Sequence, residues 1–367
     1  MHQSRNTSAA PGTRVERFDT IVVGAGQTGL AVGYHLAERD VDFAIVGAER
    51  RIGDSWRQRW DSLRVFTSAR YNGLPGMPFP APPRHFPDKD EVADYLERYA
   101  ERFDLPVRLD TRVDSLGWDG ERYVLRAGGS TLEANNVVVA TGAFQKARIP
   151  KIAARLSPEI HQLHSSQYRN PWALPDGSVL VVGVGNSGAQ IALELARFRK
   201  VWLAGQETGH LPRRLLGRDV FDWVWPVMAR TAPDSWLGRR MRERMRHGDL
   251  LIGIPSSAFT RAGVVRVGRL TEERGGQPVC GGAVIEPSVI IWCTGYESDQ
   301  AWIDLSIRDA AGCVRHRRGV ALDAPGLYFV GLRFQRRLTS SLIGGVGADA
   351  EYIAEQVARR SEVVETV

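Results

Sequence analysis

The apolar residues of this chain mark out one arrangement of strand, glycine turn and helix twice. The first copy has the β-branched run Phe18–Gly24, and the second has the run Ser178–Val182. After a short glycine-rich segment, apolar residues recur with helical spacing over Leu30–Ala37 and over Ala189–Ala196. Each copy therefore predicts a strand that passes through a tight turn directly into a helix.

Two further apolar runs end in a small residue, threonine and glycine. These runs are Val137–Gly142 and Val289–Gly295, and each follows its glycine turn at a similar distance along the chain. A shared layout of this kind is hard to obtain from chance glycines. It predicts the α/β fold class, with two Rossmann-like dinucleotide-binding domains that each contain a parallel sheet flanked by helices.

The second domain is predicted to be inserted in the first. A strand at Gly326–Gly331 and a helix at Asp349–Arg359 complete the first domain after the second has ended. Leu109–Leu132 predicts small antiparallel strands, and the proline-rich segment Gly73–Pro87 predicts a loop. The predicted boundaries are residues 17–150 with 300–360 for the first domain, 151–299 for the second, and 1–16 for a flexible N-terminal tail.

Composition narrows the class of protein. Apolar residues make up 43% and charged residues 25% of the 367 residues, which is typical of a globular protein, and no apolar run is long enough to span a membrane. Met1–Gly12 lacks the apolar core of a secretory signal, and the three cysteines form neither a CxxC pair nor a metal-ligand pattern, so a cytoplasmic location is expected. The net charge of +6 comes without a nucleic-acid-binding motif, and a polyanionic cofactor explains it as well as nucleic acid would.

The glycines of the two turns carry the candidate chemistry. In a GxGxxG turn the first glycine makes the bend, the second lets backbone amides approach a pyrophosphate, and the third lets the helix pack on the strand. One such turn can also close an ordinary sheet, but two copies between strand and helix favour two nucleotide sites. The positions are Gly24, Gly26 and Gly29 in the first copy and Gly183, Gly185 and Gly188 in the second.

The acidic residue expected at the end of the next strand is displaced in the first copy. The strand Phe43–Val46 runs into Gly47 instead of an acid. Glu49 follows two residues later, where it either reaches back to a ribose or is a solvated charge.

The segment after that strand contains Gly53-Asp54-Ser55-Trp56, which no simple turn requires. Together with Leu63–Thr67, Leu74–Pro80 and Leu342–Asp349, it resembles the flavin-containing monooxygenases, including the plant indole-pyruvate monooxygenases and the bacterial CzcO-like flavoproteins. The resemblance covers most of the chain, through both glycine turns and both closing runs.

This resemblance implies a division of labour between the domains. FAD would bind at the first glycine turn, and NADPH, with NADH left open, at the second. The reduced flavin would combine with dioxygen to give a peroxide that oxygenates a nitrogen, sulfur or carbonyl carbon of a small organic substrate. Carried over by position, the cofactor-binding residues are Gly24, Gly26, Gln27, Gly29, Glu49, Ser55, Trp56, Val113, Thr141, Gly142, Gly183, Gly185, Asn186, Ser187, Gly188, Thr294, Gly295 and Asp349.

The same resemblance bears on the choice of coenzyme. An arginine that often meets the NADPH 2′-phosphate is replaced here by Gln206, directly after the strand Val201–Gly205. Arg213 and Arg214 either supply the charge instead or form a solvated basic turn.

Three residues are candidates for direct roles near the flavin. Ser68 stands where many relatives have an asparagine that hydrogen-bonds the flavin peroxide. His164 and Tyr168 match the end of the FxGxxxHSxxY signature, whose first two fixed positions are here Pro158 and Ile160. These two residues either donate hydrogen bonds in a strap between the domains or simply cap a loop.

Several alternatives stay open at this point. The segment Arg218–Arg246, rich in tryptophan and arginine, forms a core-facing amphipathic helix pair, roofs a substrate tunnel, or lies on an anionic membrane surface. The protein as a whole is a monooxygenase, a flavin reductase that passes electrons to a quinone or ferredoxin, or a flavin-binding redox sensor without turnover. A homodimer is also left open.

Overall fold

The computed structural model describes residues 15–245, 248, 250–310 and 312–365. The strands up to residue 147 are β1 (Val15–Val23), β2 (Phe43–Val46), β3 (Val107–Arg108), β4 (Val113–Trp118), β5 (Tyr123–Ala127), β6 (Ser130–Val139) and β7 (Lys146–Ala147). The α-helices of the same stretch are α1 (Gln27–Ala37), α2 (Asp54–Arg57) and α3 (Lys89–Arg102).

The remaining elements follow in chain order. The strands are β8 (His161–His164), β9 (Val179–Val182), β10 (Val201–Ala204), β11 (His210–Leu211), β12 (Arg214–Leu215), β13 (Arg218–Asp219), β14 (Leu251–Ile252), β15 (Val265–Val267), β16 (Leu270–Arg274), β17 (Gln277–Cys280), β18 (Ala283–Val284), β19 (Val289–Trp292), β20 (Tyr296–Glu297), β21 (His316–Arg317), β22 (Val320–Ala321) and β23 (Leu327–Phe329). The α-helices are α4 (Asn186–Leu195), α5 (Phe221–Arg230), α6 (Trp236–Met245), α7 (Ser256–Arg261) and α8 (Gly347–Glu365).

The N-terminal and C-terminal parts of the described chain together form one large sheet. Its strand order is β21-β22-β23-β6-β1-β2-β3, and β5 pairs with β6 and β4 beside it. β1 pairs in parallel with β2 and β6, and β23 pairs in parallel with β6. α1 and α8 pack together, and the residues Thr20–Val23 at the end of β1 are all buried. Central parallel strands are covered on both faces, which explains why they are apolar throughout.

The antiparallel strands predicted within Leu109–Leu132 are confirmed as β4, β5 and the start of β6. The long β6 also gives β1 a partner beyond the predicted domain boundary, because Val15 and Glu16 pair with Thr131 and Leu132. The prediction that residues 1–16 form a tail is therefore wrong for these two residues. Residues 1–14 of that tail lie outside the described part of the chain.

A second sheet lies in the middle of the chain, with the order β15-β10-β9-β19-β8 and parallel pairing throughout. The connections to and from it run side by side, since β7 and β20 pair antiparallel. The first sheet then resumes at β21. The predicted fold class is confirmed: two Rossmann-like α/β units, the second inserted in the first. The exact boundaries of the domains stay a prediction.

The segment predicted over Arg218–Arg246 forms α5 and α6, and Arg246 lies outside the described residues. Phe221 is buried, but Trp223 and Trp236 are 44% and 69% exposed. The core-facing interpretation is therefore wrong for these two tryptophans. Trp223 lies on the side of α5 opposite Phe221 and Trp225, and Trp236 is exposed at the start of α6. Across the described residues, no helix combines the length and apolarity that a bilayer crossing demands.

The predicted loop Gly73–Pro87 is confirmed, and two tyrosines of α3 hold its start. The hydroxyl of Tyr95 accepts from the amide of Leu74 and donates to the carbonyl of Met77, both at 2.6 Å. The hydroxyl of Tyr99 donates to the carbonyl of Pro75 at 2.7 Å. A buried side chain, and not loop sequence alone, therefore fixes the path of the loop.

Replacing Tyr95 by phenylalanine should destabilise the protein by about 1–3 kcal/mol, since a buried amide and a carbonyl both lose their partner. Thermal unfolding followed by circular dichroism measures the effect. Tyr99→Phe is the matched control, because only one carbonyl loses its donor there, and its melting temperature should fall less. Equal melting temperatures for Tyr95→Phe and the native chain would contradict the assignment.

Candidate active site

A cavity of about 760 Å³ lies between the carboxyl ends of β1 and β2 and the start of α4. In open α/β sheets ligands bind at this edge, because the turns and helix starts converge there. The cavity brings together many of the predicted cofactor-binding residues. These are Gly24, Gly26, Gln27, Glu49, Ser55, Trp56, Val113, Thr141 and Gly142 from the first domain and Asn186 and Ser187 from the second.

The first glycine turn is shaped by close backbone contacts. A Cβ at Gly24, where φ is +117°, would lie 2.6 Å from the carbonyl oxygen of Ala140. A Cβ at Gly29 would lie 1.8 Å from the carbonyl oxygen of Gly24, so helix and strand end touch at that point. Gly26 has no atom within 4 Å of its Cβ position and faces the cavity. Packing thus requires the outer two glycines, and the middle one leaves room for a ligand.

The second turn repeats this geometry. A Cβ at Gly183, where φ is +115°, would lie 2.2 Å from the carbonyl oxygen of Cys293. One at Gly188 would lie 1.9 Å from the carbonyl oxygen of Gly183, whereas Gly185 again has open space beside it. Both turns therefore form the same cradle.

Both helices begin inside the glycine turns, three residues before the predicted starts at Leu30 and Ala189. α1 begins at Gln27 and α4 at Asn186, and the N-caps are glycines, which carry no side chain to satisfy the first amides. Unsatisfied amides and the positive end of the helix dipole attract anions such as a pyrophosphate. The helix starts are early because tertiary contact at the third glycine outweighs local helix propensity.

Glu49 folds back against the end of β2. Its Oε2 is buried and has no hydrogen-bond partner in the described chain. Gly47 makes the room for it, since a Cβ there would lie 2.7 Å from that oxygen. A solvated charge does not fit a buried oxygen, but an acceptor awaiting ribose hydroxyls does.

Glu207 stands at the matching place after β10, where the sequence pointed instead to the exposed Gln206. The signal that could have found Glu207 is a shared spacing, because each glutamate follows the glycine at its strand end by two residues. Its Oε1 accepts from Arg266 Nη1 of β15 at 3.1 Å. The Nε of Arg266 is buried without a partner among the described residues. The end of β10 therefore presents both a carboxylate and a guanidinium.

Arg59 and Trp60 also line the cavity and were missed, because their role depends on distant segments. Trp60 Nε1 is a buried donor without a partner in the described part of the chain. Arg59 donates to the hydroxyl of Tyr296, and its guanidinium lies 5.7 Å from the ring centre of Phe144. No carboxylate of the described residues lies within ion-pair distance of Arg59. A cation and an unused donor therefore face the same space as the glycine cradle.

Gln190 joins the two domains beside the cavity. Its side-chain amide accepts from the backbone amide of Arg64 at 3.2 Å and donates to the carbonyl of the same residue at 3.1 Å. Asn186 accepts from the amide of Ile252 at 3.0 Å and so fixes the start of α4 against β14. These contacts set the second helix start at the rim of the first domain's cavity.

None of the three residues predicted near the flavin lines the cavity. Tyr168 is buried and donates to Glu194 Oε2 at 2.7 Å, and burial raises its pKa. His164 Nε2 donates to the carbonyl of Gly295 at 3.1 Å, and burial lowers the pKa of its ring. Ser68 is buried at the start of the 3₁₀ turn Ala69–Tyr71. The hydrogen bonds of Tyr168 and His164 both stay within the second domain, so the strap between the domains stays a prediction.

The other predicted residues are spread more widely. Arg213 Nη1 donates to the carbonyl of Phe66 at 2.7 Å, and Arg214 is exposed on β12. The hydroxyl of Thr294 donates to the carbonyl of Arg148, and the carbonyl of Gly295 accepts from His164 Nε2. Asp349 is buried in the first turn of α8, 3.7 Å from Arg336 Nη1, and lies outside the cavity lining.

The donor set of the cavity fits an extended dinucleotide. It offers unsatisfied amides at two helix starts, a buried carboxylate oxygen for hydroxyl groups and an unused indole N–H. An ion or a small metabolite would leave most of these groups unpaired. The fold and the site therefore define a class, the α/β proteins with two dinucleotide-binding domains.

Comparison with known proteins narrows this class. A family model described as pyridine nucleotide-disulphide oxidoreductase matches residues 21–214. A CzcO-like oxidoreductase of Geobacillus kaustophilus is 42% identical over 92% of this chain and 98% of its own length. A flavin-containing monooxygenase from Stenotrophomonas maltophilia superposes with a TM-score of 0.77 at 26% identity, over 94% of this chain and 99% of that one. The rice indole-3-pyruvate monooxygenase YUCCA1 is 32% identical over 60% of this chain and 54% of its own length.

The chain belongs to the pyridine nucleotide-disulphide oxidoreductase family, and within it to the CzcO-like oxidoreductases. The resemblance first noted from Gly53–Trp56 and the glycine turns is thereby confirmed. The protein is an oxidoreductase.

Two glycine variants test the cradle. Gly29→Ala should lower the melting temperature sharply or prevent folding, because its Cβ would overlap the carbonyl of Gly24. Gly26→Ala should fold normally, since its φ of −82° suits alanine, yet it should bind flavin about tenfold or more weakly because the Cβ blocks the amides. Circular dichroism and flavin absorbance measure the two effects. Full flavin retention by Gly26→Ala would rule out the assigned site.

Proposed function

We propose that this protein is an FAD-dependent, NADPH-consuming monooxygenase that oxygenates a small organic molecule at nitrogen, sulfur or a carbonyl carbon. The observation that supports the proposal most is the pair of matching cradles whose helix starts meet at one cavity. A single cradle would serve one nucleotide. Two cradles joined by Gln190 allow two cofactors to exchange a hydride.

FAD is assigned to the first cradle. The amides at the start of α1 would receive its pyrophosphate, and the buried Oε2 of Glu49 would accept from ribose hydroxyls. Val113 and Thr111 line the same end of the cavity, where an adenine fits. Trp60 Nε1 and Arg59 remain to donate towards phosphate or flavin oxygens farther along.

NADPH is assigned to the second cradle. Asn186 and Ser187 at the start of α4 line the shared cavity, so a nucleotide on this helix would lie beside the flavin. The 2′-phosphate of NADPH would lie near the end of β10. We assign the guanidinium of Arg266 as the positive charge that binds it. Glu207 beside it would repel a phosphate, and its pairing with Arg266 offsets this repulsion.

When bound, the flavin supplies the chemistry: it accepts hydride from the nicotinamide and activates dioxygen. The residues of this chain orient the cofactors, neutralise their phosphates and exclude water. The aromatic side chains of Trp56, Trp60 and Phe144 form part of the cavity wall and limit solvent access. Tyr296 holds Arg59 in place from the other domain.

Disulfide reduction is the alternative that the family description raises, and the cysteines argue against it. Cys280, Cys293 and Cys313 are all unpaired. Burial raises the pKa of Cys280 to about 11 and that of Cys293 to about 12. A redox-active dithiol needs an accessible thiolate beside a second thiol, and this chain has neither feature at the cavity. Reduction of a quinone or ferredoxin would leave dioxygen unused, which distinguishes it from oxygenation.

Amines, sulfides, ketones and α-keto acids are supplied in turn to the purified yellow protein. With the compound that is its substrate, the protein should consume NADPH, dioxygen and substrate in a ratio of one to one to one. NADPH absorbance, an oxygen electrode and product mass are measured together. Incorporation of one atom from labelled dioxygen confirms oxygenation. NADPH oxidation that persists without oxygen when a quinone is added, with no oxygenated product, would assign the protein as a reductase.

Arg266→Ala should raise the KM for NADPH about tenfold or more, because a charge-assisted contact to the 2′-phosphate is lost. The KM for NADH should change little, since NADH has no phosphate at that position. Arg269→Ala, at an exposed arginine just after β15, is the matched control and should leave both values unchanged. A parallel rise for both coenzymes would show that Arg266 does not read the phosphate.

A further inference from the structure

An exposed apolar patch lies on the second domain, away from the cavity lining. It consists of Leu215 and Leu216 on the hairpin of β12 and β13 together with Trp223 and Val227 of α5. Their exposed fractions are 46%, 85%, 44% and 50%. Large apolar side chains grouped on a surface mark an interaction site. We call these four residues the Leu-Trp patch.

The helix α5 is apolar on two sides, and only one of them is covered. Phe221 lies 6.1 Å from Phe66 and Trp225 lies 5.0 Å from Tyr71, measured between ring centres. Trp223 and Val227, four residues apart, share the opposite side of the helix. A helix that is apolar all round is normally buried, so the uncovered side needs a partner.

The tip of the hairpin exposes its leucines to solvent, and its backbone is strained there. Leu216 has a φ of +52°, a left-handed conformation that costs about 1–2 kcal/mol for a residue other than glycine. Trp223 Nε1 donates to the carbonyl of Leu215 at 3.3 Å, which ties the tip to α5. The hairpin and the helix therefore present one continuous surface.

Basic residues surround the Leu-Trp patch. Arg214, Arg218 and Arg230 are exposed, and no carboxylate of the described chain lies within ion-pair distance of them. The Arg218 guanidinium lies 5.8 Å from the Trp223 ring centre. Of the nearest acids, Asp222 forms an ion pair with Arg70 at 3.4 Å, and Asp219 is only partly exposed and accepts from the amide of Phe221. The surface is therefore both apolar and positively charged.

We propose that the Leu-Trp patch docks on an anionic lipid surface, with the leucines and Trp223 in the interfacial region and the arginines on lipid phosphates. Trp and Leu flanked by Arg is the composition that binds peripheral proteins to anionic bilayers. A second copy of this chain fits less well, because a symmetric contact would place arginine against arginine. Nucleic acid would leave the leucines exposed.

Sedimentation of the full-length holoprotein with lipid vesicles tests this proposal. Binding should be strong to phosphatidylcholine vesicles that contain phosphatidylglycerol, weak to phosphatidylcholine alone, and reduced by added salt. The double variant Leu215→Ser/Leu216→Ser should bind the anionic vesicles about tenfold or more weakly. Arg218→Glu should remove most of the preference for anionic lipid.

Trp172→Ser is the matched control, because Trp172 is 72% exposed but packs against Phe198, outside the patch. This control should bind as the native chain does. All variants should keep their melting temperature and their rate of NADPH oxidation in the absence of lipid, because the changed side chains lie outside the cavity. Equal binding by Leu215→Ser/Leu216→Ser and the native chain, or no binding by the native chain, would overturn the proposal. So would a dimer in light scattering that the double variant dissociates.

Discussion

The contact between the third glycine of each turn and the carbonyl of the first is the constraint on which this structure depends. At Gly29 and Gly188 a side chain would overlap that carbonyl by more than an ångström. Because nothing separates helix from strand there, the first amides of α1 and α4 point past the sheet edge into the cavity. Binding capacity for an anion thus follows from close packing, and no charged side chain is needed to create it.

The same constraint applies in both domains, so the two domains share one arrangement of strands and turns. In each domain, a glutamate follows the strand that comes after the glycine turn and its helix, and the spacing is the same in both. In each domain, a later strand also ends in a small residue, threonine and glycine. What differs is the occupant of the strand end: Glu49 is unpartnered, whereas Glu207 is held by Arg266. One strand end therefore has an unpartnered carboxylate oxygen and the other has an ion pair, which is the difference that the proposed assignment of FAD to the first cradle and NADPH to the second requires.

The sequence allowed prediction of whatever is local: strands, turns, the closing runs, and the positions of Glu49 and Trp56. It did not allow prediction of Arg59, Trp60 or Gln190, because each depends on a partner or space supplied by a segment far along the chain, such as Tyr296 or the backbone of Arg64. The motif predicts a position near the flavin for His164 and Tyr168, but neither residue lines the cavity. Their hydrogen bonds lead instead to Gly295 and Glu194, in the second domain.

α5 shows a further limit of periodicity. A pattern of apolar residues indicates which side chains avoid water, but it does not indicate which segment or partner packs on them. Phe221 and Trp225 are covered by the first domain, and their spacing of four residues is identical to that of Trp223 and Val227, which are not. Only the structure separates the two sides. The arginines around the uncovered side then decide between partners, since an apolar surface with unpaired positive charge suits an anionic lipid surface better than another protein of the same charge.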